Sequence, residues 1–283
     1  MNDRHLEFAR SHYMIMSAPN GARLTPEDHP AVPIDAAGLA DCAAAVLAAG
    51  ASAMHVHVRD DDGEHVLDAD RYRAALDQVG KRVGDRLILQ ITTEAHERYT
   101  AAEQMQVVRD VRPEAVSLAL RELCPDEAAE PAAGKFFQWL VRERIWPQYI
   151  LYSAAELHRF DTLRRKGFFG QEQPFCLFVL GSHAAHQTGE LAELDTILAA
   201  ADCSQFPWAV CCFGQYELRA LRAARRLGGH ARVGFENNVT LADGRMAGDN
   251  ADLVKQLAAF DDDTGREPAT ADDVRAALMY ELR

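Results

Sequence analysis

Two histidines stand two residues apart in Met54-His55-Val56-His57-Val58-Arg59-Asp60. The segment has the apolar character of a strand, and side chains two apart on a strand point to one face. Imidazoles side by side are poor core filling and good ligands for first-row divalent metals. Far along the chain, Ala231-Arg232-Val233-Gly234-Phe235-Glu236-Asn237 offers a third donor. Arg232, Gly234 and Glu236 share a face by the same period of two, with Gly234 leaving room between the other two. If Glu236 points inward, two His and one Glu leave a position open to water or substrate, as in catalytic zinc sites. This spacing predicts His55, His57 and Glu236 as metal ligands. An arginine in such a place must be paired or poised to bind an anion. Without a metal, the same residues read as a buried Arg232–Glu236 ion pair.

An alternation of strand and helix must position these groups. Apolar runs of strand length fall at 13–18, 52–58, 86–92, 115–120, 148–152, 175–181, 208–214 and 231–236. They are continuous rather than alternating, as in parallel strands covered on both faces. Thr100 with Glu103, and Ser153 with Glu156, read as capping boxes. Asp35 reads as the cap of the Ala-rich stretch 36–49, which Gly50 stops. Helical patterns also cover about 68–82, 134–145, 188–201, 215–227 and 249–260, with a last one at about 270–282.

Eight strands, each followed by a helix, predict an α/β fold: a (β/α)8 TIM barrel with an extra C-terminal helix, one domain over 1–283. A doubly wound sheet would carry a Gly-rich phosphate turn after its first strand, and none is present. Links from helix to strand are short, at 50–51, 83–85, 111–114 and 228–230. Several from strand to helix are long, at 19–35, 59–67, 121–133 and 237–248. Barrel enzymes carry their sites on the strand-to-helix loops. The asymmetry therefore marks the functional face, and the histidine pair lies at it.

Other polar strand ends gather there: Asn20 and Arg23, Thr92, Thr93 and Glu94, Arg121 and Glu122, Ser182 and His183. Ser153 and Ser182 read most simply as helix caps. Arg23, Arg232 and Arg121 are suited to hold an anionic substrate against the metal. Arg164-Arg165-Lys166 and Arg225-Arg226 fall at helix C-termini, where cations complement the macrodipole, on the opposite face.

The chain has 283 residues, with 30 Lys+Arg against 43 Asp+Glu and a net charge of −13. That excess argues against nucleic acid or an anionic membrane as partner. No apolar run reaches the ~18 residues of a bilayer span. The opening MNDRHLEFARSHY lacks the apolar core of a signal peptide, so the expected location is cytoplasmic. The six cysteines show no C-x-x-C spacing, which fits reduced thiols better than a disulfide scaffold or zinc ribbon. Cys211 and Cys212 read as small apolar residues on opposite faces of a buried strand.

The chain resembles the β-keto acid cleavage enzymes, a family of metal-dependent barrels. The matching segments are APNGARLTPEDHPAVPI, GASAMHVHVRDDDG, LQITTEA, RPEAVSLALREL, LFVLG, GGHARVGFENN and ATADDVRAAL, in order over nearly the whole chain. H-V-H-V-R-D together with R-V-G-F-E carries the resemblance; neither alone would.

The resemblance implies a zinc-dependent reaction, with another divalent transition metal as the alternative. A β-keto acid and acetyl-CoA, the co-substrate, would give acetoacetate and a new acyl-CoA. The family's metal ligands fall on His55, His57 and Glu236, and its barrel arginine on Arg232, where it would offset developing negative charge. The residue after the metal-binding Glu is commonly Asp, implicated in activating the keto acid. Here it is Asn237, which cannot act as a base. The strand-3 hydroxyl falls on Thr92 or Thr93. Asn20, Arg23, Thr93 and Arg121 are the expected substrate contacts.

Members acting on an amine-bearing keto acid have a Glu soon after Gly-Ala. Arg23 stands there in this chain, so a negative or neutral polar tail is expected. CoA should lie over the long loops or in a subunit groove, although no CoA motif is visible. Family analogy implies a homo-oligomer, a dimer or tetramer. Two other readings remain. An amidohydrolase-like barrel hydrolase carries its H-x-H on the first strand, with further His ligands on strands 5 and 6. Strand 5 has none here, and His183 is the one strand-6 candidate. A non-catalytic small-molecule-binding barrel would make Asn237 a mark of lost chemistry.

Overall fold

The computed structural model describes residues 4–182, 188–259 and 263–279. Eight parallel strands close into a barrel in sequence order. They are β1 (Ile15–Ser17), β2 (Ala53–Val56), β3 (Ile88–Ile91), β4 (Ala115–Ala119), β5 (Trp146–Leu151), β6 (Phe175–Leu180), β7 (Trp208–Cys212) and β8 (His230–Val233). The helices that follow them are α1 (Ala36–Ala48), α2 (Ala69–Val83), α3 (Ala101–Val111), α4 (Glu130–Arg142), α5 (Ala154–Arg165), α6 (Leu191–Leu198), α7 (Glu217–Arg226) and α8 (Asn250–Ala258). This is the (β/α)8 architecture that the alternation predicts. Among the described residues, no helix is long and apolar enough to cross a membrane.

The strands read as unbroken apolar runs because both faces are covered. Outward residues such as Val56, Val116, Tyr149, Phe178 and Cys212 join the helices in the larger core. Inward residues, including Met16, Ala53, Leu177 and Cys211, fill the barrel. Cys211 and Cys212 thus lie on opposite faces, as the period of two requires. One level higher the inward positions turn polar: His55, Gln90, Ser117, Gln148 and Arg232 are all buried. An apolar plug with a polar layer above it is a floor for a site at the C-terminal ends of the strands.

Two helices outside the repeat close the base. Arg4–Ser11 and Ala271–Leu278 bring Phe8, Val274 and Leu278 against Met14, Trp146 and Phe175. A two-residue parallel pair, His12–Tyr13 with Glu267–Pro268, ties the flanking segments together. Arg225 is buried here, with its guanidinium on the Arg266 carbonyl and 4.3 Å over the Tyr13 ring. It lies in the last turn of its helix, where a cation is expected, and also ties that end to the flanking segment. Arg164 and Arg165 instead meet the Asp161 carboxylate at 2.8 and 2.6 Å.

The start signals act as read, with two differences. Asp35 accepts from Gly38 N at 2.7 Å, and Thr100 and Glu103 form a reciprocal box. Ser153 accepts from Glu156 N at 3.2 Å, but the Glu156 carboxylate turns to Tyr152 N and Arg121, leaving half a box. Among the described residues Ser182 caps no helix: α6 starts at Leu191, where Glu193 accepts from Glu190 N at 2.8 Å.

Strand β8 stops at Val233, three residues before Glu236. Gly234, at φ +145°, turns the chain there. A Cβ on Gly234 would overlap the Ala18 carbonyl oxygen, and L-residues avoid this φ. Gly234→Ala is therefore expected to lower stability by about 3 kcal/mol or more in urea denaturation. A loss under about 1 kcal/mol would mean that the turn relaxes without it.

Candidate active site

The turn after β8 carries Glu236 back to the barrel mouth, where Glu236 N donates to Ala18 O at 3.0 Å. Gly21 makes room, since a Cβ on it would lie 2.6 Å from Glu236 Cγ. Glu236 Oε2 thereby comes within 3.5 Å of His55 Nε2 and 3.4 Å of His57 Nε2, and the two imidazole nitrogens are 3.1 Å apart. Ligands about 2.0–2.1 Å from a tetrahedral cation are about 3.3–3.4 Å from each other. The three donors thus approximate one face of a zinc-sized tetrahedron.

Protonation suits the same reading. Burial lowers the His55 imidazole to about 4 and the His57 imidazole to about 3, so both are neutral donors near pH 7. Burial alone would raise the Glu236 carboxyl. Arg232 and the two histidines outweigh it and hold it well below the usual range. With both Nε2 atoms unprotonated, these two nitrogens and the carboxylate oxygen form a donor set that a cation would hold together.

Neighbours orient each donor. His55 Nδ1 meets Gln90 Oε1 at 2.8 Å, and Gln90 Nε2 donates to Gln148 Oε1 at 3.4 Å. The proton is therefore assigned to Nδ1, which turns the Nε2 lone pair toward the cluster. Asn20 clamps the next residue but one: its Nδ2 donates to His57 O at 3.0 Å and Pro33 O at 2.9 Å. Arg232 donates to the second carboxylate oxygen, Glu236 Oε1, at 2.8 Å. The ion pair and the candidate donor set thus share the Glu236 carboxylate, one oxygen serving each. Buried Arg59 gathers Gly21 O at 2.6 Å and Leu24 O at 3.0 Å, which fixes the loop bearing Arg23.

Above the cluster lies a cavity of about 370 Å³, whose wall includes Arg23, Thr92, Thr93, Glu94, Ser182 and Asn237. Several buried polar atoms have no hydrogen-bond partner among the described residues: Arg232 Nε, Asn237 Nδ2, Glu236 Oε2 and Ser182 Oγ. Buried polar groups left open in one place mark where a ligand supplies the partner. The Glu94 carboxylate accepts no hydrogen bond among the described residues and lies 4.0 Å from His57 Nδ1. Burial first, and then the Glu236 charge, push it up to about 7.

The family model described as beta-keto acid cleavage enzyme matches residues 12–279. The chain belongs to this family. The β-keto acid cleavage enzyme of Fusobacterium nucleatum named 3-keto-5-aminohexanoate cleavage enzyme is 28% identical over 270 residues, covering 94% of this chain and 97% of that one. A 3-oxoadipate:acetyl-CoA acetyltransferase of Cupriavidus necator is 27% identical, covering 94% of each chain. Among solved structures, ObcA in a ternary complex with a C4-CoA adduct and oxalate superposes with TM-score 0.70 at 17% identity. That match covers 87% of this chain and 67% of ObcA, and it speaks to the fold.

Within this β-keto acid cleavage enzyme, His55, His57, Glu236, Arg232, Asn237, Thr92, Thr93, Asn20 and Arg23 all reach the cavity or its floor. Three have their polar atoms engaged in the fold. Both Asn20 amide donations serve the backbone, so it positions His57. Thr93 Oγ1 donates to Ser117 O at 2.9 Å, and Thr92 Oγ1 accepts from Glu94 N at 3.0 Å. Arg121 departs from expectation: its Nε donates to Glu156 at 2.8 Å, its guanidinium lies 3.8 Å over the Tyr152 ring, and it is outside the cavity wall. The hydrolase reading finds no H-x-H on β1, and its strand-6 candidate, His183, lies outside the described residues. Sequence reading missed Gln90, Gln148 and Arg59. Their signal was polarity at inward strand positions and, for Arg59, a charge two residues after His57.

Proposed function

We propose that this enzyme condenses a β-keto acid bearing an anionic or neutral polar tail with acetyl-CoA, giving acetoacetate and a new acyl-CoA. A divalent metal, zinc by its donor set, would be held by His55, His57 and Glu236. The observation that carries the reading is the donor triangle sharing one cavity with Arg232, Arg23 and Glu94. The names of the Fusobacterium and Cupriavidus relatives support the reaction class, and the Cupriavidus name includes a dicarboxylic keto acid. When bound, the metal supplies Lewis-acid polarisation of a carbonyl oxygen.

The chain's residues would do the rest. Glu94 accepts a proton from the carbon between the ketone and the carboxylate, the task Asn237 cannot perform. That carbon attacks the thioester carbonyl, a C–C bond forms, and the C–S bond breaks to release CoA thiolate. The thiolate then attacks the original ketone carbon. The older C–C bond breaks, acetoacetate leaves with the attacking carbon, and Glu94 returns the proton. Arg232 and the open Asn237 amide donate to the oxyanions that develop on the way. The Thr92 hydroxyl holds the Glu94 backbone and has its proton left for the substrate carboxylate. Arg23, exposed at the mouth, meets the tail.

The test is acetoacetate formation from acetyl-CoA and a panel of dicarboxylic, neutral and aminated β-keto acids, followed by mass spectrometry. Acetoacetate is expected with metal and is lost under chelation. No product from any panel member in metal-loaded protein overturns the reading and leaves a binding role. Arg23→Glu is expected to shift kcat/KM by about tenfold toward the aminated acid and away from the dicarboxylic one. An unchanged ranking would remove Arg23 from substrate choice.

A further inference from the structure

A second groove of about 740 Å³ runs between α7 and the segment after β8. It shares Gln215 and Thr240 with the active-site cavity, so the two adjoin there. Its wall holds Arg219, Arg222 and Arg226, spaced three and then four apart on α7, which puts them on one helix face. No Asp or Glu is among its described lining residues, in a chain with a net charge of −13. Tyr216, an exposed aromatic at 40%, stands at the end nearer the cavity.

Burial, and then the neighbouring Arg226 charge, pull the Arg222 guanidinium below its ordinary value. Arg226 lies 4.0 Å from Asp263, where both side chains are largely exposed and the attraction is screened. Arg219 makes no ion pair among the described residues. Guanidinium forks match phosphate oxygens, and an exposed aromatic ring offers a stacking face to a base.

We infer that this groove binds the phosphate-bearing adenosine half of the CoA ester. The inference rests on the reaction proposed above. The cavity of about 370 Å³ takes the keto acid and the thioester end, and the remainder must leave through the mouth. The groove begins at that mouth and carries the charge the remainder needs. The pantetheine arm crosses Gln215 and Thr240, the adenine stands against Tyr216, and the phosphates lie along Arg219 and Arg222.

The experiment compares acetyl-CoA with acetylpantetheine, which has the same thioester without adenosine or its adenosine-borne phosphates. In the parent enzyme acetyl-CoA has the lower KM. In the Arg219→Ala/Arg222→Ala variant its KM rises about tenfold or more, while the constants for acetylpantetheine and for the keto acid stay unchanged. Arg219→Gln, at an exposed position, moves the same constant less and guards against a folding defect. Unchanged acetyl-CoA constants in the double variant, or parallel losses with both thioesters, overturn the assignment. If no thioester is turned over, the proposed reaction has failed. Calorimetric titration with adenosine 3′,5′-bisphosphate then reads the groove alone. Binding to the parent that weakens about tenfold in the double variant upholds it, and equal or absent binding overturns it.

Discussion

His57→Ala is expected to remove bound metal and condensation activity together. The parent should carry about one ion per chain, and the variant essentially none, by elemental analysis of dialysed protein. Condensation should fall by about 10³-fold or more, because several kcal/mol of charge stabilisation leave with the ion. His57 is fully buried, so the control is whether the variant retains its fold, read by circular dichroism and melting. A second substitution separates ligation from packing. Gln90 touches His55 Nδ1 at 2.8 Å and does not belong to the donor triangle. Gln90→Leu should keep the fold, weaken metal affinity about 10–100-fold, and recover activity when metal is added in excess. Full activity in metal-free His57→Ala would end the metal-dependent reading. Equal affinity in Gln90→Leu would end the claim that this amide sets the tautomer.

Glu94→Gln is expected to lower kcat by about 10²–10⁴-fold with a small change in KM for the keto acid. The amide keeps the size of the side chain and cannot accept the proton. Glu94 is the wall carboxylate with neither a metal-donor role nor a hydrogen bond among the described residues. Glu236 is held by Arg232, and Glu122 accepts from Ala95 N at 3.1 Å. A direct readout is exchange of the keto acid's acidic C–H with deuterated water in the absence of acetyl-CoA. The parent should catalyse it above background, and Glu94→Gln should not. Exchange at the parental rate would assign the proton to another group. The pH dependence has a definite sign. The ionised form is the acceptor, so activity falls as pH drops through the Glu94 value. Burial and Glu236 place that value at about 7, and a cation on Glu236 draws it lower. With 33% of the side chain exposed, water also tempers the burial effect. The acidic limb should therefore appear at or below neutrality.

The barrel was legible because covered parallel strands are continuous apolar runs, and because long loops sit at one end of each strand. The donor set was legible for a partly different reason from the true one. Glu236 was read as an inward residue of a strand reaching 236, whereas β8 ends at Val233 and the Gly234 turn delivers the carboxylate. Residue identity survived because either path ends at the mouth. Arg121 was not legible, since its partner Glu156 lies 35 residues away on α5. Nothing local distinguishes an arginine awaiting an anion from one already holding a carboxylate. Gln90 and Gln148 are single polar letters in apolar strands, and their value appears only when neighbouring strands set them side by side.

The helices that flank the barrel in sequence, Arg4–Ser11 and Ala271–Leu278, both pack on its base, against Met14, Trp146 and Phe175. The candidate site opens at the other end. A linker attached near either flank therefore leaves the mouth turned toward solution, so the enzyme can be tethered to a surface or fused beside a thioester-consuming partner without obstructing entry. The same layout makes the flanks a poor place for deletion, because trimming either one opens the apolar floor to water.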